Sequence, residues 1–258
     1  MANDFLEKIL VYKRELLAEK KAYYENLRKN IDSAKHTHYH VFKKAISRPG
    51  AMHLIAEVKK ASPSRGIIRE DFDALKIAKI YEKNQAAAIS VLTEDKYFLG
   101  KSAYLKDISD AVRVPTLMKD FIIHEHQIYE ASVCGASAVL LIVAILSNDE
   151  LKHLMAAAHR LGLDCLVEVH DEQELERAIA VALTAANLRS RLETSSMTSA
   201  CGGRCPQGVN MTMPRPPLKS EDWPKLPGTR IITRLAVPSS TKGRSCFSIS
   251  IIWACAAS

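Results

Sequence analysis

Between residues 53 and 181 the chain writes one unit five times over. A short apolar, β-branched segment is followed by a longer amphipathic one, with a spacing of roughly 25–30 residues between successive units. Strands read at 53–59, 87–93, 116–119, 138–143 and 165–169. The helices after them read at 73–83, 102–112, 124–134, 148–161 and from 172 onward. Such alternation predicts parallel strands joined by right-handed crossovers, in the α/β class. Two architectures satisfy it: a closed eightfold barrel and an open, doubly wound sheet. No Gly-x-Gly-x-x-Gly follows the first strand and no P-loop occurs in the chain, which weakens the nucleotide-binding sheet and favours the barrel. A length of 258 residues is in range for a single barrel.

Local signals support the units. Ser147 and Glu150 form a capping box, Leu151, Leu154, Ala158 and Leu161 line one helix face, and Gly162 fits the position just past its end. Asp171 with Glu174 opens the fifth helix in the same way. Ahead of the units, Asp4–Lys29 reads as one helix with an apolar stripe of Phe5, Ile9, Tyr12 and Leu16. Asp4 and Glu7 read as its capping-box variant, and its Lys- and Glu-rich face as solvated. Residues 30–52 read as a connection with a short helix near Val41–Ile46, ended by Pro49-Gly50. The expected organisation is an N-terminal helical extension (1–52), five βα units (53–181) and a tail (182–258).

In barrels the chemistry lies at the carboxyl ends of the strands. Here those ends carry Glu57 and Lys59, Glu94, Lys119 and Glu168. Strand residues alternate faces, so Ile55, Glu57 and Lys59 share a side, as do Leu117 and Lys119, and Leu166 and Glu168. One such residue reads as well as a solvated strand end or a plain ion pair. As a set, two ammonium groups and two carboxylates facing one mouth could hold an anionic substrate and shift pKa values for proton transfer.

Four stretches together carry a family resemblance: Ile-Ala-Glu-Val-Lys-Lys-Ala-Ser-Pro-Ser-Arg-Gly (55–66), Leu-Thr-Glu-Asp-Lys-Tyr-Phe-Leu-Gly (92–100), Leu-Met-Lys-Asp-Phe-Ile-Ile (117–123) and Leu-Val-Glu-Val-His-Asp (166–171). Over about residues 1–181 the chain resembles indole-3-glycerol phosphate synthase, the ring-closing decarboxylase of tryptophan biosynthesis. The resemblance implies a (β/α)8 TIM barrel and a carboxy-lyase acting on 1-(2-carboxyphenylamino)-1-deoxyribulose 5-phosphate, a small phosphorylated molecule. It also implies that no metal or organic cofactor is used; the cytoplasm is the default expected where neither a signal peptide nor a membrane span is read. Lys119 matches the family's general acid, and Glu168 the acidic partner of the later proton transfers. Lys59 is expected beside the substrate's anionic groups, with Glu57 orienting the sugar hydroxyl and the lysine. Phe121 is expected against the anthranilate ring, and Ser62 in the loop that touches substrate. The related barrel phosphoribosylanthranilate isomerase uses a Cys and Asp pair, and the Glu-x-Lys-x-x-Ser-Pro-Ser loop argues against it.

After Val181 the family pattern is not found: no Gly-Ala-Asp, no Asn-Asn-Arg, no Ser-Glu-Ser-Gly and no final Gly-rich phosphate turn. Strands six to eight cannot be placed, and 182–258 is expected to be largely irregular. Val-Ala-Leu-Thr can be coded by bases that read Val-Gly-Ala-Asp with one nucleotide restored, which suggests a frameshift. An impaired or inactive remnant of the synthase is therefore the alternative reading. The tail also explains the net charge of +7: residues 181–258 hold 10 Lys/Arg against 3 Asp/Glu, and the rest of the chain is balanced. An Arg-, Pro- and Ser-rich stretch of this kind is not a nucleic-acid surface, so no nucleic-acid partner is expected. Cys201, Cys205, Cys246 and Cys255 lack the spacing of a zinc site, and the final Cys-Ala-Ala-Ser reads as a chance match to a prenylation box. No apolar run is long enough to span a membrane and no signal peptide is read at the N-terminus.

Overall fold

The computed structural model describes residues 2–31, 40–47, 53–182, 229–233 and 249–253. The four tail cysteines and the C-terminal tetrapeptide lie outside the described residues.

The five expected strands form with boundaries within two residues of those expected. They are β1 (Ile55–Val58), β4 (Ala88–Leu92), β5 (Thr116–Lys119), β6 (Ala138–Ile142) and β7 (Asp164–Val169). A two-residue hairpin pair, β2 (Ala61–Ser62) and β3 (Gly66–Ile67), sits in the loop after β1. The helices are α4 (Ala74–Lys83), α5 (Ser102–Ala111), α6 (Glu125–Val133), α7 (Asn148–Arg160) and α8 (172–182). β1, β4, β5, β6 and β7 are parallel and lie side by side in sequence order. That order decides between the two architectures. A doubly wound sheet reverses its strand order at a switch point, whereas this wall runs one way, as a barrel wall does.

Each face of the wall has its own apolar core. On the helix side, Val58, Ile89, Val91, Met118, Val139, Leu141, Cys165 and Val167 pack against α4 to α8 through Ala78, Leu105, Ile108, Ile128, Leu151 and Leu154. The other side is lined by the alternate residues, Ala88, Leu117, Ala138, Leu140, Ile142 and Leu166, with Phe42 and Ile46 from α3 (Val41–Ile46). Alternation of faces along each strand thus sorts the wall into an outer and an inner surface. The α7 capping box is present on Ser147 and Glu150, and Gly162 takes the left-handed conformation (φ 73°) expected past the helix end.

Helix α3 closes the inner surface at the amino end. Its cap residue His40 is left-handed (φ 62°) and offers no side-chain cap. Asp164, at the start of β7, supplies one instead: Oδ2 accepts the Lys43 N–H at 2.9 Å and Oδ1 lies 2.8 Å from His40 Nδ1.

One expectation is corrected at the N-terminal end of the chain. The N-terminal helix is two helices, α1 (Ala2–Glu19) and α2 (Lys21–Asn30), parted at Lys20 where ψ opens to 16°. Because α1 already begins at Ala2, Asp4 lies in its first turn and not at its cap. Within the tail two segments are described, both strands: β8 (Thr229–Thr233) and β9 (Ile249–Trp253) form an antiparallel pair, and β9 lies antiparallel on β7. The edge of β7 is therefore covered. An edge strand presents a row of unpaired N–H and C=O groups, and a β-branched run such as Ile249-Ser250-Ile251-Ile252 can satisfy them. Among the described residues no helix is long and apolar enough to cross a membrane.

Candidate active site

At the end of the wall opposite α3, Glu57 on β1 and Lys119 on β5 face the same side, one strand apart. Lys119 lies two residues beyond Leu117, the β5 residue level with Glu57 across β4, so their backbones are roughly 12 Å apart from two interstrand spacings and two residue rises. Ser90, the β4 residue in register with Glu57, is small, and the long stems bridge the gap above it. Lys119 Nζ donates to Glu57 Oε2 at 2.9 Å, and Lys59 Nζ donates to Oε1 at 2.5 Å. One carboxylate thus carries two ammonium groups, one on each oxygen. All three side chains are partly buried, between 20% and 32% exposed. Burial opposes ionisation of Glu57. The charge of Lys119 and the hydrogen bonds from Lys59 and Lys119 outweigh it and hold the carboxyl below its usual range. The cluster keeps a net positive charge that reaches solvent, and such a group can attract an anion and offer a proton.

Glu168 stands at the carboxyl end of β7, in register with Ile142 of β6 and on the inner face. Its carboxylate lies 3.2 Å from the His170 ring. The expected convergence of two carboxylates on two lysines is therefore divided: both lysines go to Glu57, and Glu168 meets a histidine. Ser62 lies in the β2–β3 hairpin directly after β1, opposite Gly66, whose left-handed φ of 63° turns the chain back. Phe121 follows β5, packs against the inner apolar face, and its ring centroid is 6.2 Å from that of Phe98.

Glu94 is a strand-end charge of a different kind. It is fully buried, and its carboxylate accepts the backbone N–H groups of Lys96, Tyr97 and Phe98 at 3.1, 2.7 and 2.9 Å. Its charge shapes the β4–α5 loop and does not face the mouth. Sequence reasoning also missed Lys13. It borders the apolar stripe of α1, four residues after Ile9 and three before Leu16, is only 4% exposed and reaches Asp120 Oδ1 at 2.6 Å. Asp120 adjoins Lys119 and accepts further hydrogen bonds from Thr93 Oγ1 (2.8 Å) and the Phe121 N–H (2.7 Å). This ion pair ties the N-terminal helices to the end of β5. A separate cavity of about 590 Å³ opens between α1–α2 and the β4–α5 loop, with Lys13, Tyr24, Asp95, Asp120 and Glu130 on its walls. None of the six expected site residues lines it. Among the described residues no group of three or more His, Cys, Asp or Glu side chains could hold a metal ion.

A one-way parallel wall, helices on its outside, a helical plug at the amino end and a charged cluster at the carboxyl ends define a βα-barrel protein, a class whose chemistry lies at that end of the strands. Comparison with known proteins narrows the class. The family model for indole-3-glycerol phosphate synthase matches residues 6–188, and the chain belongs to that family, whose fold is the (β/α)8 barrel. An indole-3-glycerol phosphate synthase of Endomicrobium trichonymphae is 56% identical over 138 residues, 54% of this chain and 53% of that protein. The one of Thermoanaerobacter pseudethanolicus is 42% identical over 186 residues, 72% of this chain and 70% of that protein. The one of Campylobacter jejuni (strain RM1221) is 46% identical over 209 residues, 80% of this chain and 81% of that protein. Against the Endomicrobium protein and a similar one of Acetivibrio thermocellus, the chain spans about half the relative's length. The family match passes residue 181, where the motifs had placed its end, and an alignment of 209 residues reaches further still.

Proposed function

We propose that this chain carries the acid–base half of an indole-3-glycerol phosphate synthase site. The reaction would be ring closure, decarboxylation and dehydration of 1-(2-carboxyphenylamino)-1-deoxyribulose 5-phosphate. The observation that carries the reading is the double bridge of Lys59 and Lys119 on Glu57 at the carboxyl ends of β1 and β5. Ring closure builds negative charge on a carbonyl oxygen as the aromatic carbon attacks. A positioned ammonium lowers that barrier by stabilising the charge and donating the proton, which is the role given to Lys119. Glu57 holds the Lys119 ammonium in place through the hydrogen bond to Oε2. Lys59, on the other oxygen of Glu57, is suited to the substrate's carboxylate. Glu168, across the inner face, takes the proton lost when water is eliminated. Phe121 offers an apolar surface to the anthranilate ring, and Ser62 a hydroxyl from the loop above.

A second reading rests on one observation, the antiparallel pairing of β9 with β7. A barrel wall continues with a parallel sixth strand, and barrels of this kind build their phosphate site from loops after strands seven and eight. In this reading the chain keeps the acid and the carboxylates but binds the phosphorylated substrate weakly, because remote binding energy is what holds the sugar in a reactive geometry.

One experiment separates the two. The purified chain is given the substrate and the fluorescence of the indole product is followed, beside a Lys119→Ala chain. The synthase reading expects turnover that falls by roughly 10²–10⁴-fold in the variant, the scale of losing a general acid. Equal, background-level signals from both chains would favour the remnant.

A further inference from the structure

At the end of β7, Glu168 belongs to a second charged group that the lysine cluster does not include. His170 Nε2 lies 3.2 Å from Glu168 Oε1, and the other ring nitrogen, Nδ1, lies 3.1 Å from Glu174 Oε2. The same Glu174 oxygen accepts the His170 backbone N–H at 2.8 Å, while the Glu174 N–H donates to Asp171 Oδ1 at 2.8 Å. Glu174 is thus held at the first turn of α8, its N–H on the Asp171 side chain and its carboxylate on the His170 N–H, before it meets the ring. An imidazole with a carboxylate oxygen at each nitrogen can donate to both only as the imidazolium. The neutral ring would turn a lone pair toward one of them.

We propose that His170 is a positioning residue: its ring, anchored on the first turn of α8 through Glu174, fixes the Glu168 carboxylate at the mouth of the wall. This rests on the reading of Glu168 as a group that acts on substrate. A glutamate at a strand end has three side-chain torsions to settle, and proton transfer needs its oxygen placed to within a fraction of an ångström. A rigid cation on one oxygen restricts those torsions. Among the described residues the charged groups bearing on the ring are Glu168 from β7 and Glu174 from α8. Arg177, a turn further along α8, is turned instead to Asn148 and to the carbonyls of Val143 and Leu146. The hydrogen bond to Glu168 raises the His170 pKa. Burial opposes it and Glu174 adds to it, for a value of about 9. The ring is then charged throughout the neutral range.

The test begins with the unsubstituted full chain. The His170 ring is titrated by NMR, then again in the Glu168→Gln and Glu174→Gln chains. The expected midpoint is far above the ordinary value near 6.5, and each substitution should lower it by about a unit or more, the scale of removing one adjacent charge. A midpoint near the ordinary value, or one that Glu168→Gln does not move, overturns the proposal. Where the chain turns over substrate, His170→Asn should lower kcat by roughly 10–10²-fold with KM little changed. It should also abolish an alkaline limb near pH 9 in the kcat profile. An unchanged kcat and profile would likewise overturn the proposal. Absence of turnover in the unsubstituted chain counts against the synthase reading and not against the clamp. The clamp is then decided on Glu168 carrying a carbon-13 label at its carboxyl. That resonance should shift in step with the His170 titration and lose the step in His170→Asn; a resonance indifferent to His170 overturns it.

Discussion

Replacing Lys13 by methionine tests whether the N-terminal helices are bound to the barrel wall by a buried charge. Lys13 is 4% exposed and its ammonium is 2.6 Å from Asp120, which is itself 5% exposed. Methionine keeps the apolar stem but strands the carboxylate. Removing one partner of a buried pair costs roughly 3–5 kcal/mol, most of it the penalty of the charge left behind. Asp120 keeps two donors, Thr93 Oγ1 and the Phe121 N–H. The expected loss is therefore near the lower end, about 3 kcal/mol. At roughly 2–4 °C per kcal/mol for a domain of this size, the thermal midpoint should fall by about 6–12 °C. Asp120→Asn in the Lys13→Met background removes the stranded charge, and the double variant should recover much of the loss. Urea unfolding followed by circular dichroism measures both. A single-variant loss below about 1 kcal/mol, or a double variant no better than the sum of its parts, would refute the argument.

Glu168→Gln should keep substrate affinity and lose turnover; isothermal titration beside single-turnover fluorescence measures the two separately, and weakened binding with intact chemistry would make Glu168 a binding residue. Gly100→Ala should cost about 1–3 kcal/mol by urea unfolding, the scale of forced overpacking. An added Cβ would sit inside contact distance of the Leu92 carbonyl oxygen and 2.8 Å from that of Glu94, backbone atoms that cannot swing away. Glu57 titrates below its usual range in the folded chain, so its contribution to stability is present above the ordinary carboxylate pKa and is lost as pH falls through the lowered folded value. The stability difference between the unsubstituted and Glu57→Gln chains should accordingly be widest at neutral pH and narrow in acid, as read from urea midpoints at several pH values.

What could be read in the sequence was local. β5 and α3 have the expected boundaries because breakers stand beside them, Pro115 directly before β5 and Pro49-Gly50 after α3, and α7 starts where expected because Ser147 and Glu150 mark it. Strand parity placed Glu57, Lys59, Lys119 and Glu168 on one face, and the face is right. How they pair was not readable, since it depends on side-chain reach across β4 and on His170, which sequence reasoning had passed over. Lys13 looked like a solvated lysine because its partner is 107 residues away, and no local pattern reports that. The lone clue was Asp120, a carboxylate of opposite parity to Lys119 at a strand end that should turn it toward a helix. Glu94 passed for a mouth group because the loop that consumes it supplies only backbone N–H groups, which every sequence has. The break at Lys20 carries no proline or glycine to announce it. In the tail the local signal for β9 is Ile249 to Trp253, a mostly apolar, β-branched run.

The capping of α3 by Asp164 has a consequence for the order of events during synthesis. The acceptor for the Lys43 N–H lies 121 residues downstream. At roughly 5–20 residues per second, the ribosome makes that acceptor about 6–24 s after the helix it caps. In that interval Phe42 and Ile46 have no β7 to cover them, and the plug must wait as an unanchored apolar turn on the nascent chain. Ribosome-bound chains halted just before Asp164 should be cut readily by protease near Lys43, and chains halted well beyond Val169 should be protected there. The amino end of this barrel is in that sense closed from behind, by one of the last strands of its parallel wall to be made.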